Sequence, residues 1–336
     1  MVKTATLDAA NIPEMPVARR RVDGNVIKFC LRTGDDLEIE SVIIPMGAAD
    51  KTWRTLCVSS QVGCGRGCTF CQTARMGLLR NLSAGEILGQ VRAARSAFGA
   101  NVRNVVFMGM GEPMDNLDNV IAAIIALHED HARQIPRRRI TVSTVGRCAG
   151  IRRLAALGWR RLNLAVSLNA PNDEIRSRIM PINRAEPMAE LRRAIAAYPV
   201  RAGGHVLIEY VLIKGLNDRL EHAAELVEYL RGLRTCVNLI PMNPIDDEPF
   251  DAPAGRAKLP LSRSDAHDGR AKLPLSRFEA PDDETVERFQ LALMNAGQLA
   301  FRRNTKGRRA MAACGQLGNP GLRRGSAQQP EVACVR

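Results

Sequence analysis

Short apolar runs alternate with stretches of helical periodicity through most of the chain. The runs at 54–58, 104–109, 140–144, 162–168, 206–213 and 237–241 are rich in Val, Ile and Leu. Strands buried on both faces of a parallel sheet read this way. Helical periodicity fills the gaps: from Ser83, then over 117–129, 147–157, 186–198 and 219–233. Ser83 followed by Glu86 is a capping-box pattern at the start of a helix. A last helix over 283–296 leads into a strand at 299–303, and "NVIKFCL" and "LEIESVIIP" add strand-like stretches near the N-terminus.

Six strands alternating with helices predict an α/β protein of right-handed βαβ units around a parallel sheet. Six units suggest an open, partial (β/α)6 version of the eight-fold TIM-like barrel, with a doubly wound sheet as the alternative. A barrel places its site at the C-terminal strand ends. There the sequence puts a cysteine-rich loop after the first strand and "GMGEP" (109–113) after the second. Ser143 closes the third strand, Ser167 and Asn169 follow the fourth, and Asn243 follows the sixth.

The longest apolar run, 120–127, is eight residues, too short for a bilayer, which needs roughly 20. "MVKTATLDAANIPEMP" lacks the apolar core of a secretory signal. These features predict a cytoplasmic protein with no membrane partner. The net charge of +13 suits a polyanion, nucleic acid foremost. Only seven of the 48 basic residues are lysine, a skew that a GC-rich genome also produces. Aromatics are 4%, so the sequence shows no extended base-stacking platform.

Four cysteines, Cys57, Cys64, Cys68 and Cys71, fall within fifteen positions of "CVSSQVGCGRGCTFCQTARMG". In a reducing compartment such spacing points to metal or chemistry before disulfides. Cys64, Cys68 and Cys71 form C-x3-C-x2-C. A structural zinc site needs a fourth ligand, which Cys57 or a distant residue would have to supply. A cubane cluster held by three thiolates instead leaves one iron open to a small molecule. Gly63, Gly65 and Gly67 interleave the cysteines and let the backbone run close to a bulky group.

The C-x3-C-x2-C loop resembles that of the radical S-adenosylmethionine superfamily, and "GMGEP" looks like its glycine–glutamate element. The resemblance narrows to the RlmN/Cfr family through five stretches in family order. They are "SSQVGCGRGCTFCQTARMGLLRNLSAGEILGQV", "NVVFMGMGEPMDNLDNV", "VSLNAPNDEIRSRIMPINR", "VNLIPMNP" and "AACGQL". The similarity implies radical methylation of adenine in 23S ribosomal RNA, with a 4Fe–4S cluster and S-adenosylmethionine as cofactors. It implies Cys64, Cys68 and Cys71 as cluster ligands. The implied cofactor contacts are Gly111, Glu112, Ser143, Ser167, Leu168, Asn169 and Asn243.

Adenine carbon 2 is an electron-poor amidine carbon and cannot displace a methyl group by itself, whereas a carbon radical can add there. In the family a cysteine matching Cys314 first takes a methyl group by displacement. The 5′-deoxyadenosyl radical removes a hydrogen from it, and the methylene radical adds to the base. A second cysteine, matching Cys57, resolves the adduct by forming a disulfide with the first. A carboxylate matching Glu40 accepts the proton, although a solvated strand carboxylate would look alike and Glu38 shares its face by alternation. The resemblance further implies a reducing partner such as flavodoxin and a monomer. The shared motifs leave carbon 8 and transfer RNA open as alternatives. A non-catalytic iron–sulfur RNA-binding protein or redox sensor is the alternative from another class. Cys30, Cys148, Cys236 and Cys334 match no family role and read as core or tail thiols.

Some features depart from the family. The usual N-terminal helical domain is expected to be reduced to a region over 1–50. Arg308 and Arg309 stand where acidic residues are usual, Met242 replaces a tryptophan, and Asn169 replaces a histidine. A core over 51–250 would precede an added loop over 251–282, in which "GRAKLPLSR" occurs twice. A segment over 283–319 carries Cys314, and 320–336 reads as a disordered tail.

Overall fold

The computed structural model describes residues 12–46, 53–129, 134–243, 278–303, 307 and 310–318. The duplicated "GRAKLPLSR" loop, Arg308, Arg309, Cys334 and the tail lie outside the described residues. Ten strands form one sheet. An antiparallel meander, β1 (Val17–Asp23), β2 (Val26–Arg32) and β3 (Glu38–Pro45), leads to β4 (Trp53–Cys57). A small hairpin, β5 (Gln61–Gly63) and β6 (Leu78–Asn81), brackets the cysteine loop and the short α1 (Gln72–Arg75). After α2 (Ala84–Ser96) come β7 (Asn101–Phe107), α3 (Leu117–Glu129), β8 (Ile140–Thr144), α4 (Cys148–Ala156) and β9 (Asn163–Ser167). Then α5 (Asp173–Ile179), α6 (Met188–Ala197), β10 (Val206–Leu212), α7 (Leu220–Leu230) and β11 (Thr235–Pro241) follow. The chain closes with α8 (Asp283–Asn295) and β12 (Ala300–Arg302).

The order β4-β7-β8-β9-β10-β11 follows the sequence, and every neighbouring pair is parallel. A doubly wound sheet would reverse direction part-way. Here each unit adds on the same side, which is the winding of a barrel. The described sheet does not close, since β1 and β12 are its two ends. The protein is therefore a partial (β/α)6 barrel with an added short parallel strand, β12. The first three strands continue the same sheet, because β3 hydrogen-bonds to β4.

The six expected strands all form, because their apolar residues are buried from both sides: all five residues of β8 are buried. The predicted capping box is present. Ser83 Oγ accepts from Glu86 N at 3.2 Å, and a Glu86 carboxylate oxygen accepts from Ser83 N at 2.8 Å. Such a cap contributes about 1 kcal/mol. The β5–β6 hairpin, the arginine-rich β1 and the seven-residue α5 had no sequence forecast. No helix among the described residues is long and apolar enough to cross a membrane.

Candidate active site

The cysteine loop is held largely by backbone contacts. Gly63 has φ +76°, and a Cβ there would sit 1.9 Å from the Gly77 carbonyl oxygen. Only glycine lets the hairpin close and Cys64 N donate to Gly77 O at 2.8 Å. Gly63 thus serves the loop's own closure. Thr69 N ties the loop to α5 through Ile179 O at 2.9 Å, and Gln72 N ties it to the C-terminal segment through Gly315 O at 2.7 Å. Thr73 Oγ1 adds a bond to Leu317 O at 2.5 Å. Segments far apart in sequence thereby meet over the C-terminal strand ends.

Beneath them lies a cavity of about 140 Å³ lined by Cys64, Cys68, Cys71, Gly111, Glu112, Ser143, Ser167, Asn169, Asn243 and Cys314. Of the expected cofactor contacts only Leu168 does not line it. Its side chain is fully buried in the main core, while its carbonyl accepts from Arg176 Nε at 3.1 Å. Two expected catalytic residues also lie outside the lining. Cys57, at the end of β4, is buried with the smaller apolar cluster of Met76, Met110 and Leu317. Burial, and next the charge of nearby Cys314, push the Cys57 thiol up to about 12, and both cysteines are free thiols. Glu40 is 3% exposed and ion-paired with Lys28, Nζ to Oε2 2.9 Å. The same oxygen accepts from Gly318 N at 2.8 Å, so Glu40 sits under the C-terminal segment.

Glu112 is the best-held carboxylate of the cavity. Its side chain accepts from Met114 N at 3.0 Å and Val145 N at 2.8 Å, and its own N–H donates to Gln61 Oε1 at 2.8 Å. Gly111 has φ +98°, and a Cβ there would strike the Gln61 side chain at 2.5 Å, so the glycine lets this turn lock onto the cysteine hairpin. Burial pushes the Glu112 carboxyl up to about 7, against the opposing pull of the two amides. Asn169 adopts φ +58°, a conformation asparagine tolerates better than most residues. Its Oδ1 accepts from Val211 N at 2.9 Å, so its side chain is taken up in bracing β10.

The donor set suits a cluster better than one ion. Burial pushes the Cys64 thiol up to about 12 and raises Cys68 and Cys71 too, so each is a thiol until a metal is bound. Among the described residues no three Cys, His, Asp or Glu side chains converge on a single ion. A zinc ion would need its sulfurs about 2.3 Å from one centre, whereas a cubane takes each thiolate on a different iron. Asn243 Oδ1 is buried without a hydrogen-bond partner at the cavity wall, an acceptor suited to a donor on a bound cofactor.

Three residues of the site escaped sequence reasoning. Arg176 on α5 is fully buried, with Nη2 donating to Val145 O at 2.5 Å and Nη1 to Asn183 Oδ1 at 2.9 Å. It clamps the loops after β8 and β9. Arg303, just past β12, donates from Nη1 to Cys314 Sγ at 3.3 Å. Glu209, buried in β10, lines the cavity, accepts from Asn238 Nδ2 at 2.6 Å and feels the Arg303 charge. A lone carboxylate inside the apolar run "VLIEYVL" was the one signal available in the sequence.

A family model described as the Radical SAM superfamily matches residues 58–227. A probable dual-specificity RNA methyltransferase RlmN 1 of Protochlamydia amoebophila is 44% identical over 92% of this chain and 78% of its own length. The chain belongs to the RlmN family of radical S-adenosylmethionine RNA methyltransferases. Dual-specificity RNA methyltransferase RlmN of Nitratidesulfovibrio vulgaris is 39% identical over 94% of this chain and 80% of its own length. A crystal structure of a radical SAM methyltransferase from Sphaerobacter thermophilus matches with a TM-score of 0.76. It is 40% identical and covers 91% of this chain and 82% of that one.

One stability prediction arises here. Lys28→Met removes the partner of buried Glu40 and the donor to Met311 O. Breaking one side of a buried ion pair costs about 3–5 kcal/mol. Chemical denaturation is expected to show a loss of that size, and Lys28→Met/Glu40→Gln should recover part of it.

Proposed function

We propose that the protein methylates carbon 2 of an adenine in 23S ribosomal RNA, with the methyl group carried first on Cys314. The observation that carries this reading is the meeting of Cys314 with Cys64, Cys68, Cys71 and Glu112 around one cavity. Cys314 and the cluster loop are more than 240 positions apart in sequence. A protein that only bound RNA would need no thiol there. The names of the relatives speak of dual specificity, which favours a second RNA substrate.

Cys64, Cys68 and Cys71 would hold a 4Fe–4S cluster, and Gly111, Glu112, Ser143, Ser167, Leu168, Asn169 and Asn243 would hold S-adenosylmethionine. Together, when bound, these groups supply a methyl group and a 5′-deoxyadenosyl radical. The residues of the chain do the rest. Arg303 donates to Cys314 Sγ and fixes where that sulfur points. Cys57, whose buried thiol feels the charge of Cys314, would form a disulfide with it and so release the methylated base. Glu40 would accept the proton from the base carbon. It lies under the segment holding Gly318, so this role needs that segment to shift as RNA enters.

Glu112 gives the proposal a pH signature. As an acceptor for the amino group of S-adenosylmethionine it must be ionised, and its carboxyl titrates at about 7. Affinity should therefore fall as pH drops through that value, by roughly tenfold between pH 8 and 6. The folded value lies above the ordinary one, so this group also lowers stability of the empty protein as pH rises from about 4.5 to 7. Calorimetry on reconstituted protein checks the first effect, and Glu112→Gln should remove the pH dependence along with most of the affinity. The substrate is tested by deleting the gene and mapping methyladenosines in ribosomal and transfer RNA by mass spectrometry. Loss of 2-methyladenosine is expected, and an unchanged map would refute the assignment.

A further inference from the structure

The N-terminal ends of the parallel strands lie on the face opposite the cavity, and arginine crowds there. Arg103 is near the start of β7. Arg137, Arg138 and Arg139 form the turn before β8, and Arg160 and Arg161 precede β9. Arg201 precedes β10 and Arg234 precedes β11. None of these eight has an ion-pair partner among the described residues; Glu129 acts on Arg137 only at longer range.

Several arginines of the flank and helices are paired, although Arg178, Arg184, Arg219 and Arg288 have no ion-pair partner among the described residues. Arg66 pairs with Asp115, Arg80 with Asp35 and Glu86, Arg147 with Asp115 and Glu186, and Arg152 with Glu190. The chain's two tryptophans are also both at this end. Arg103 lies over the Trp53 ring, 5.0 Å to its centroid, and Arg137 over the Trp159 ring at 4.3 Å. A guanidinium held over an indole is pre-oriented and can still offer N–H groups to a phosphate. Trp53, Arg95, Asn101, Arg103, Gln134 and Arg139 line an open hollow of about 800 Å³. Arg139 carries the neighbouring charges of Arg103 and Arg138. Such mutual repulsion is relieved by a polyanion.

We propose that this end of the barrel is a second RNA-binding surface, gripping phosphates of the same RNA whose base is treated at the opposite end. The proposal rests on the methyltransferase reading for the identity of the polyanion. Strand β11, with seven residues, spans roughly 23 Å. A strand of three nucleotides at the catalytic end, stacked at roughly 3.4 Å per step, is too short to reach the arginine face round the outside of the barrel, whereas a folded RNA can wrap round to it.

The test compares two labelled RNAs on reconstituted full-length protein: a three-nucleotide strand containing adenine and a folded RNA of transfer-RNA size. The variant is Arg138→Gln/Arg139→Gln/Arg160→Gln/Arg161→Gln, and the control is Arg152→Gln/Arg153→Gln. We expect the quadruple variant to lose at least about tenfold in affinity for the folded RNA and to flatten its salt dependence by roughly 0.7–0.9 per lost phosphate contact. Its affinity for the short strand and its melting curve should match wild type, and the control should bind both RNAs as wild type does. Unchanged affinity and salt slope for the folded RNA would overturn the surface, and so would loss of binding to anionic phosphatidylglycerol vesicles with RNA binding intact. Methylation of the short strand separates the two readings. If that strand is methylated while the quadruple variant binds the folded RNA normally, only the surface fails. If the variant loses the folded RNA while wild type methylates neither, only the methyltransferase reading fails.

Discussion

Cys314→Ala is expected to transfer no methyl group to RNA, a fall of at least about a thousandfold, while still cleaving some S-adenosylmethionine under reducing conditions. The two activities separate because the residues do. Cys64, Cys68, Cys71 and Glu112 line one wall of the cavity, and Cys314 reaches it from the C-terminal segment. Alanine at position 314 removes the sulfur that Arg303 holds but leaves the tie between Gln72 N and Gly315 O, which is made by backbone. The fold and the cluster loop should therefore survive, with melting temperature and iron content near wild type. Undiminished RNA methylation by Cys314→Ala would remove Cys314 from the mechanism.

Cys68→Ala should abolish both activities. Cys68 is buried in the apolar cluster that holds Ala170, Ile179 and Met180. A cubane left with two thiolates loses one of its three anchors. Anaerobic reconstitution should give less than about a tenth of the wild-type iron, and S-adenosylmethionine cleavage should fall at least about a thousandfold. Cys57→Ala provides the contrast. Its iron content should equal wild type, because Cys57 lies outside the cavity lining. Loss of iron in Cys57→Ala would instead make it a fourth ligand.

Barrel strands such as β8 and β11 were legible because burial on both faces makes them nearly continuous apolar runs. The β5–β6 hairpin was not, since "QVG" and "LLRN" are too short for alternation to show and are shaped by Gly63 and Gly77. Strand β1 was hidden by its arginines, which an edge strand can carry toward solvent. The residues that carry a spacing signal, namely the three cysteines, the Gly111–Glu112 pair and the small polar residues at strand ends, line one cavity. Arg176, Glu209 and Arg303 act only through what folding brings against them. Arg176 meets the carbonyls of Val145 and Leu168, and Arg303 meets Cys314 across the sheet edge. Nothing local in sequence marks such partners.

The most direct test follows the methyl group itself. Reconstituted protein, S-adenosylmethionine with a deuterated methyl group, a reductant and a 23S ribosomal RNA fragment are incubated without oxygen. The RNA nucleosides and the Cys314 peptide are then analysed by mass spectrometry. The account predicts 2-methyladenosine in the RNA and, before RNA is added, a deuterated methyl group on Cys314. A methyl group on adenine without prior labelling of Cys314, or no methyladenosine at all, would contradict it.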